Sequence, residues 1–298
     1  MNPLRQQMID AMHQRGYSER THQSYLGAVR GLSRYFHQSP DQLQAQQIQD
    51  YFVYLVQERG LSGASCRMYL HAIRFLYLQV LHWPEFDIPI VYPKKAQKIP
   101  ELLTRAEVGQ IIQTCPNDKH QMMLLTCYGC GLRVSELTSL KVAHIDGERQ
   151  VLRIEQGKGA KDRMVDLPLS LLGQLRDYWR QHHPNHWLFP NANTPSLHLS
   201  NGTIQKVFKR VKQSAGIDKI GGIHGLRHAY ATHQLENGIA IHRLQHQLGH
   251  NDLHSTLRYV HWLPSQSEGK AECHDLIEQL ALDHGLITDP ANPVTTTV

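Results

Sequence analysis

The stretch "IHGLRHAYATHQLENGIAIHRLQHQLGH", residues 223–250, holds a group of side chains suited to binding a phosphate. It contains His224, Arg227 and His250 in helical runs separated by glycines, and Tyr259 follows nine residues after His250. An arginine is a five-donor fork that can grip a phosphate with two hydrogen bonds. A histidine can donate to phosphate oxygens or move a proton. The tyrosine hydroxyl is the one plausible nucleophile of this set.

Two stretches upstream add positive charge: "GCGLRVSEL" with Arg133 and "GKGAKDR" with Lys158. A free tyrosine has a pKa of about 10 and is a weak nucleophile, so it needs positively charged neighbours. Together these side chains could transfer a phosphodiester without a metal, because cations stabilise charge on the oxygens of a five-coordinate phosphorus. Each residue alone has an ordinary interpretation: a salt-bridge arginine within a helix, a solvated turn lysine, a half-buried tyrosine. Their order and spacing favour the joint interpretation.

Composition sets broad limits. The chain has 298 residues, 41% of them hydrophobic, which suffices for two domains of ordinary size. A net charge of +5 permits a nucleic-acid partner without requiring one. Five irregularly spaced cysteines favour a reduced compartment over a disulfide framework. We find neither a signal peptide nor a long apolar run, so we expect a cytoplasmic protein with no membrane partner.

Residues 1–88 predict a helical domain, with amphipathic stretches at 17–36, 41–60 and 61–81. In the third stretch Tyr69, Ile73, Leu76 and Val80 form the expected buried stripe. Three basic residues share another face of that helix, which is either a solvated face or a DNA-facing strip. They are Arg67, His71 and Arg74. The proline-rich and lysine-containing residues 89–101 predict an interdomain linker.

Residues 102–285 predict a second, mainly helical domain, followed by a disordered tail at 286–298. Thr104 and Glu107 have capping-box spacing. Residues 150–156 and 163–169 are strand-like and flank a turn, which predicts a small β-hairpin. Residues 200–216 form an amphipathic helix with four basic residues opposite its apolar stripe, and we expect these to contact DNA. They are Lys206, Lys209, Arg210 and Lys212.

Four motifs in this order resemble the tyrosine recombinases of the lambda-integrase type, especially the Xer-like and integron-integrase-like members of that phage integrase family. They are "TCYGCGLRVSEL", "GKGAKDRMVDLP", the 223–250 stretch and "STLRYVH". The resemblance covers about residues 5–262. The 66-residue step from Lys158 to His224 leaves little room for the helical insertion typical of integron integrases. This departure argues against that subclass.

The resemblance implies a role for each matching residue. Tyr259 would attack the scissile phosphate, giving a 3′-phosphotyrosyl enzyme and a free 5′-hydroxyl. Lys158 would be the general acid for the 5′-oxygen, His224 would help to manage the tyrosine proton, and Glu136 would be a supporting carboxylate. The residues implied to surround the phosphate are Arg133, Lys158, His224, Arg227 and His250.

The resemblance also implies an architecture and partners. We expect a mainly α-helical protein with a small β-hairpin, in which an N-terminal SAM-like core-binding domain and a catalytic domain form a C-shaped clamp on duplex DNA. Four protomers would exchange strands between two specific sites through a Holliday junction, starting from free monomers or dimers. No cofactor, metal or ATP would be needed. Integration or excision of a mobile element is the expected task, with the protein at the nucleoid when bound to DNA. A helix at 267–285 could pack on its own chain or on a neighbour.

Three alternatives are open at this stage. One is a metalloenzyme, suggested by His242, His246 and His250 and by the pair Cys127 and Cys130, but neither set contains the acid or the further ligands that zinc hydrolases use. Another is a DNA-binding protein with the same fold and no activity. The third is an enzyme that relaxes supercoiled DNA with the same tyrosine chemistry.

Overall fold

A computed structural model describes residues 3–86, 88–89, 100–155 and 162–263. The chain divides into two compact units, Met1–Lys98 and Ile99–Val298. Most of the predicted linker, the turn that carries Lys158, the predicted helix at 267–285 and the tail at 286–298 lie outside the described residues. No helix in the described ranges has the length and apolar character needed to cross a membrane.

The first unit is helical, as predicted. Its described residues form four α-helices, a 3-10 turn at Pro40–Gln42 and a π-helical turn at Leu76–Val80. The helices are α1 Pro3–Gln14, α2 Glu19–Phe36, α3 Ala45–Gln57 and α4 Gly63–Phe75. Ser18 and Ser62 cap α2 and α4 by accepting hydrogen bonds from backbone N–H groups three residues on. Such caps satisfy donors that the first helical turn leaves unpaired.

The third predicted stretch is not one regular α-helix, because it widens into the π-helical turn after Phe75. Phe75, Leu76 and Tyr77 are all buried, so the turn places three consecutive side chains in the core. The Tyr77 hydroxyl donates to the Pro40 carbonyl at 2.6 Å. Of the predicted stripe, Ile73 and Leu76 are fully buried, whereas Tyr69 and Val80 pack at its margin.

The second unit surrounds a small antiparallel sheet with helices. The strands are β1 Ile145–Asp146, β2 Val151–Ile154 and β3 Arg163–Asp166, in the order β1-β2-β3. The helices are α5 Arg105–Gln113, α6 Asp118–Gly129, α7 Val134–Thr138, α8 Leu169–His182, α9 Asn201–Ser214, α10 His224–Glu236, α11 Ile241–Leu248 and α12 His254–Val260. The mainly α fold with a small sheet is thus confirmed.

Local sequence signals explain several of these elements. The capping box is present: Thr104 accepts from the Glu107 backbone N–H, and the Glu107 carboxylate accepts from the Thr104 N–H at 2.7 Å. The predicted hairpin pairs Val151 with Asp166 and Ile154 with Arg163. This register holds Arg163 at the first position of β3, where its side chain can reach the helices that carry the candidate site.

Candidate active site

Arg133 does not lie inside a helix, as the sequence suggested, but at the N-cap of α7 with an extended backbone. Its Nη1 donates to Glu136 Oε1 at 2.7 Å and its Nη2 donates to the Gly249 carbonyl at 3.0 Å. Its backbone N–H donates to Glu136 Oε2 at 2.8 Å. The prediction of a helical arginine is wrong because the tight turn at Gly131 starts a new helix one residue after Arg133. That position fixes the guanidinium between α7 and the end of α11.

Arg227 is almost completely buried, with 1% of its surface exposed. Its Nη1 donates to the Gly131 carbonyl at 2.8 Å and its Nη2 donates to the Leu248 carbonyl at 2.6 Å. Burial, followed by the nearby charge of Arg133, lowers the pKa of Arg227 to about 10. The guanidinium therefore remains charged at neutral pH, and a buried cation of this kind is suited to an anionic ligand.

Glu136 is the carboxylate that organises these cations. Arg163 grips it with two hydrogen bonds, from Nη1 to Oε1 and from Nη2 to Oε2, both 2.8 Å long. Burial alone would raise the pKa of Glu136, but the hydrogen bonds and charge of Arg163, helped by Arg133, lower it to about 2. Glu136, the expected supporting carboxylate, thus contacts both Arg133 and Arg163, and Arg163 was not predicted as a site residue.

Two glycines make these contacts possible. Gly131 has a φ of +59° and Gly249 a φ of +60°, a left-handed conformation that favours glycine. A Cβ atom on Gly131 would lie 2.7 Å from Cε1 of Tyr230 and closer still to Cδ1, and one on Gly249 would lie 2.8 Å from Cδ of Arg163. The close approach of these side chains therefore depends on the missing Cβ atoms, and so do the positions of the Gly131 and Gly249 carbonyls, which accept from Arg227 and Arg133.

Tyr259 lies in α12 with 2% of its surface exposed. Its hydroxyl is 3.2 Å from Nδ1 of His228, and its ring is parallel to that of His250, with centroids 6.1 Å apart. Burial raises the pKa of Tyr259, while the charges of Arg227, Arg258 and Arg133 act in the opposite direction. The buried hydroxyl is thus within the electrostatic influence of both candidate phosphate-binding arginines.

The three histidines near Tyr259 are held neutral. Burial is the main cause in each case, and it lowers the pKa of His228 to about 3 and that of His250 to about 4. The pKa of His224 is also lowered, by desolvation and then by the charges of Arg227 and Arg133. His250 Nδ1 is 2.8 Å from the Thr256 hydroxyl, which fixes the orientation of its ring. His228 was not predicted, although it directly follows Arg227.

The structure therefore brings together most of the side chains that the sequence selected. Contacts or electrostatic interactions connect Arg133, Glu136, His224, Arg227, His250 and Tyr259, and add Arg163 and His228 to the group. Lys158 belongs to the predicted set and lies outside the described residues. In this arrangement the arginines can bind a phosphodiester and the buried Tyr259 hydroxyl can attack it.

The predicted DNA-contacting residues differ in exposure. Arg67, His71 and Arg74 are exposed on one side of α4, and Lys206, Lys209 and Arg210 are exposed on α9. Lys212 is 8% exposed, and its ammonium donates to the carbonyls of Lys219 and Gly221. The prediction that Lys212 contacts DNA is therefore wrong, because its side chain points inward and its hydrogen bonds stabilise the loop after α9.

The two groups that suggested a metalloenzyme do not form a ligand cluster in the part of the chain that the structure describes. Cys127 and Cys130 are buried, and burial raises the pKa of each thiol to about 12. Buried thiols in apolar surroundings of this kind are usually structural.

Comparisons with known proteins cover both units. The phage integrase family model matches residues 101–266, and the model of the phage integrase N-terminal SAM-like domain matches residues 4–85. Sinorhizobium fredii y4qK, which carries the provisional name integrase/recombinase, is 39% identical over 264 residues, covering 87% of this chain and 84% of the relative. A tyrosine recombinase of Pyrococcus furiosus, XerA, is 36% identical over 233 residues, covering 77% and 80%.

Solved structures show the same fold at low sequence identity. A lambda integrase fragment, crystallised as a dimer bound to a COC′ core site, has a TM-score of 0.70 at 18% identity, covering 85% of this chain and 96% of that one. A XerA recombinase structure has a TM-score of 0.52 at 23% identity, covering 95% and 98%.

Proposed function

This chain belongs to the phage integrase family, whose tyrosine recombinases transfer DNA strands, and we propose that Tyr259 is the nucleophile with which it cuts and rejoins duplex DNA at specific sites. The observation that carries this assignment is the position of the Tyr259 hydroxyl, 3.2 Å from a neutral His228 and under the influence of Arg227 and Arg133. Attack on a DNA phosphorus would form a 3′-phosphotyrosyl bond and release a 5′-hydroxyl.

The phosphate would be bound by Arg133 and Arg227. Two of the five N–H groups of Arg227, one on each terminal nitrogen, donate to backbone carbonyls, and the guanidinium also interacts with the Tyr259 hydroxyl. Carbonyl and carboxylate partners hold both guanidinium groups before DNA arrives, so little reorganisation is needed when charge develops on the phosphate oxygens. Preorganised donors of this kind are usually the largest contribution to catalysis of such steps.

The histidines would have two different roles. His228, with a pKa of about 3, would orient the Tyr259 hydroxyl as a neutral hydrogen-bond partner and is too weak a base to keep its proton. His224 and His250 are kept neutral in part by the arginines, and a bound phosphate would offset those positive charges. Phosphate binding would therefore favour their donation to phosphate oxygens, and His224 would help to manage the tyrosine proton. Lys158 would protonate the leaving 5′-oxygen.

The DNA substrate and assembly are further parts of the proposal. Solved neighbours include a lambda integrase tetramer bound to a Holliday junction, and XerH bound to a difH substrate. By analogy this chain would bind double-stranded DNA in a C-shaped clamp and act as a tetramer on synapsed sites. We expect monomers or dimers when it is free, a cytoplasmic and nucleoid-associated location, and integration or excision of a mobile element as its task. The exposed basic residues of α4 and α9 would contact the DNA.

The test uses end-labelled duplexes prepared from DNA flanking the gene, each nicked near a candidate site. The protein is incubated with this pool and quenched in SDS, and label that migrates with protein is measured. Wild type and Tyr35→Phe, which alters an exposed tyrosine of the first unit, should give a covalent adduct. Tyr259→Phe should give none while binding the same DNA. An adduct that persists with Tyr259→Phe would exclude Tyr259 as the nucleophile, and binding without any adduct would favour a DNA-binding protein without activity.

A further inference from the structure

The first unit contains a group of metal-ligand-type side chains that are distant in sequence from Tyr259 and the residues around it. Each of His13, Glu19 and His22 offers one possible ligand atom, and the three atoms lie within 4.8 Å of one another. Among the described residues, this is the one group of at least three histidine, cysteine or acidic side chains placed closely enough to hold a metal ion. His13 lies in the last turn of α1, whereas Glu19 and His22 lie in the first two turns of α2. Imidazole nitrogens and a carboxylate oxygen are the donors that zinc and related divalent ions prefer.

The most buried member of the group has an unexplained polar atom. His22 is 4% exposed, and its Nε2 has no hydrogen-bond partner in the part of the chain that the structure describes. Buried polar atoms nearly always have a partner, so an exception of this kind calls for a bound species or a cost in stability. The ring of His13 meets that of His22 edge-on, with centroids 4.5 Å apart. A cation at this point would supply the missing partner.

We propose that His13, Glu19 and His22 bind one divalent cation of the zinc class, with water completing the coordination. Zinc–nitrogen and zinc–oxygen bonds of 2.0–2.2 Å in a tetrahedron place ligand atoms about 3.3 Å apart. The three atoms here lie within 4.8 Å, so movements of about 1 Å would close them around the ion. His13 and Glu19 are exposed and can make those movements, while buried His22 provides the fixed ligand.

The ion would connect the end of α1 to the start of α2. The residues between the helices include Gly16, whose φ is +65°, and Met8 and Met12 are the side chains that α1 buries. Because a preformed site rarely exists in an unfolded chain, a cation held by both helices stabilises the folded first unit. The site would therefore be structural, and this inference is independent of the function proposed for Tyr259.

Zinc titration of the metal-free, full-length protein tests the proposal. Isothermal titration calorimetry should detect one tight equivalent of Zn²⁺ for wild type. His13→Ala and Glu19→Gln should weaken that equivalent at least tenfold. The matched controls are His182→Ala and Glu58→Gln, which change an exposed histidine at the end of α8 and an exposed glutamate just after α3, and both should bind like wild type. The tight equivalent is the readout, because 21 histidines also provide weak sites.

Thermal unfolding gives a second measurement that does not depend on detecting binding heat. Zinc should raise the melting temperature of wild type and of both controls, EDTA should reverse the rise, and His13→Ala should show a much smaller rise. The proposal is overturned if wild type has no tight equivalent, or if His13→Ala and Glu19→Gln bind zinc as tightly as the controls do.

Discussion

Arg163 and Glu136 form a two-pronged ion pair between β3 and α7, with both hydrogen bonds 2.8 Å long and side chains only 8% and 4% exposed. Removing one partner of a buried ion pair is costly because the other charge stays buried without compensation. Arg163→Met should therefore lower the free energy of unfolding by about 3 kcal/mol, as measured by urea denaturation.

Arg243→Ala provides the control for Arg163→Met. Arg243 pairs with Asp166 at 2.9 Å, but the two side chains are 64% and 54% exposed. Solvent screening limits such a pair to at most about 1 kcal/mol. Equal losses of unfolding free energy in the two variants would contradict the conclusion that the buried Arg163–Glu136 pair stabilises the fold around the candidate site.

The pKa of Glu136 makes stability depend on acidity. In the folded chain this pKa is about 2, against an ordinary value of 4.5. A carboxylate with a depressed pKa stabilises the fold above its unfolded pKa, and this contribution disappears as the pH falls through the folded value. At pH 7 Glu136→Gln should thus be less stable than wild type by about 3 kcal/mol, and the difference should shrink between pH 4.5 and 2. Urea unfolding at several pH values measures it, and a constant difference would refute the explanation.

Gly131 should not tolerate a side chain. Its φ of +59° and the contact with the Tyr230 ring both oppose a Cβ atom, and its carbonyl accepts a hydrogen bond from Arg227. Gly131→Ala should cost about 1–3 kcal/mol of unfolding free energy and reduce covalent adduct formation. Gly173→Ala is the matched control, since Gly173 lies inside α8 with nothing near its Cβ direction. That change should raise stability by up to about 1 kcal/mol. Similar losses of unfolding free energy in the two variants would contradict the conclusion that the conformation and the close contact of Gly131 require glycine.

The lysines of α9 should separate into two classes. Lys209 is exposed, and Lys209→Ala should reduce the slope of log affinity for DNA against log salt by about 1 without changing the fold. Lys212 donates to two backbone carbonyls, so Lys212→Met should leave that slope unchanged and lower the free energy of unfolding by about 1–2 kcal/mol. Gel-shift titrations in several salt concentrations and urea unfolding measure the two effects. A lower salt slope for Lys212→Met would place that ammonium at the DNA.

Sequence patterns were sufficient for the elements whose signals are local. The Thr104 capping box, the helical periodicity of α9 and the alternation of β2 and β3 each depend on residues close together in the chain. The π-helical turn after Phe75 was missed, because a regular helix and a widened one have the same apolar spacing over so few residues.

The residues missed at the candidate site depend on distant contacts. Arg163 is separated from Glu136 by 27 positions, and at the start of a strand it resembles an ordinary surface arginine. Only the packing of β3 against α11 brings it to Glu136 of α7. The sequence did not predict His228 as a site residue, because adjacent residues of a helix point to different sides of it. Only the position of α12 brings the Tyr259 hydroxyl to His228. The inward turn of Lys212 depends in the same way on the path of the loop at 219–221.

The carbonyls that hold the two arginines have a consequence for the order of events during synthesis. Arg227 donates hydrogen bonds to the carbonyls of Gly131, 96 residues earlier, and of Leu248, 21 residues later. Arg133 donates to the carbonyl of Gly249, 116 residues later. Contacts so far apart in sequence form late, because the chain between them must be ordered first. A nascent chain that has emerged only as far as α10 contains the Gly131 carbonyl, but it lacks Tyr259 and the carbonyls of Leu248 and Gly249. With Tyr259 as the proposed nucleophile, DNA cleavage would therefore begin only after α12 has been synthesised and packed against α10.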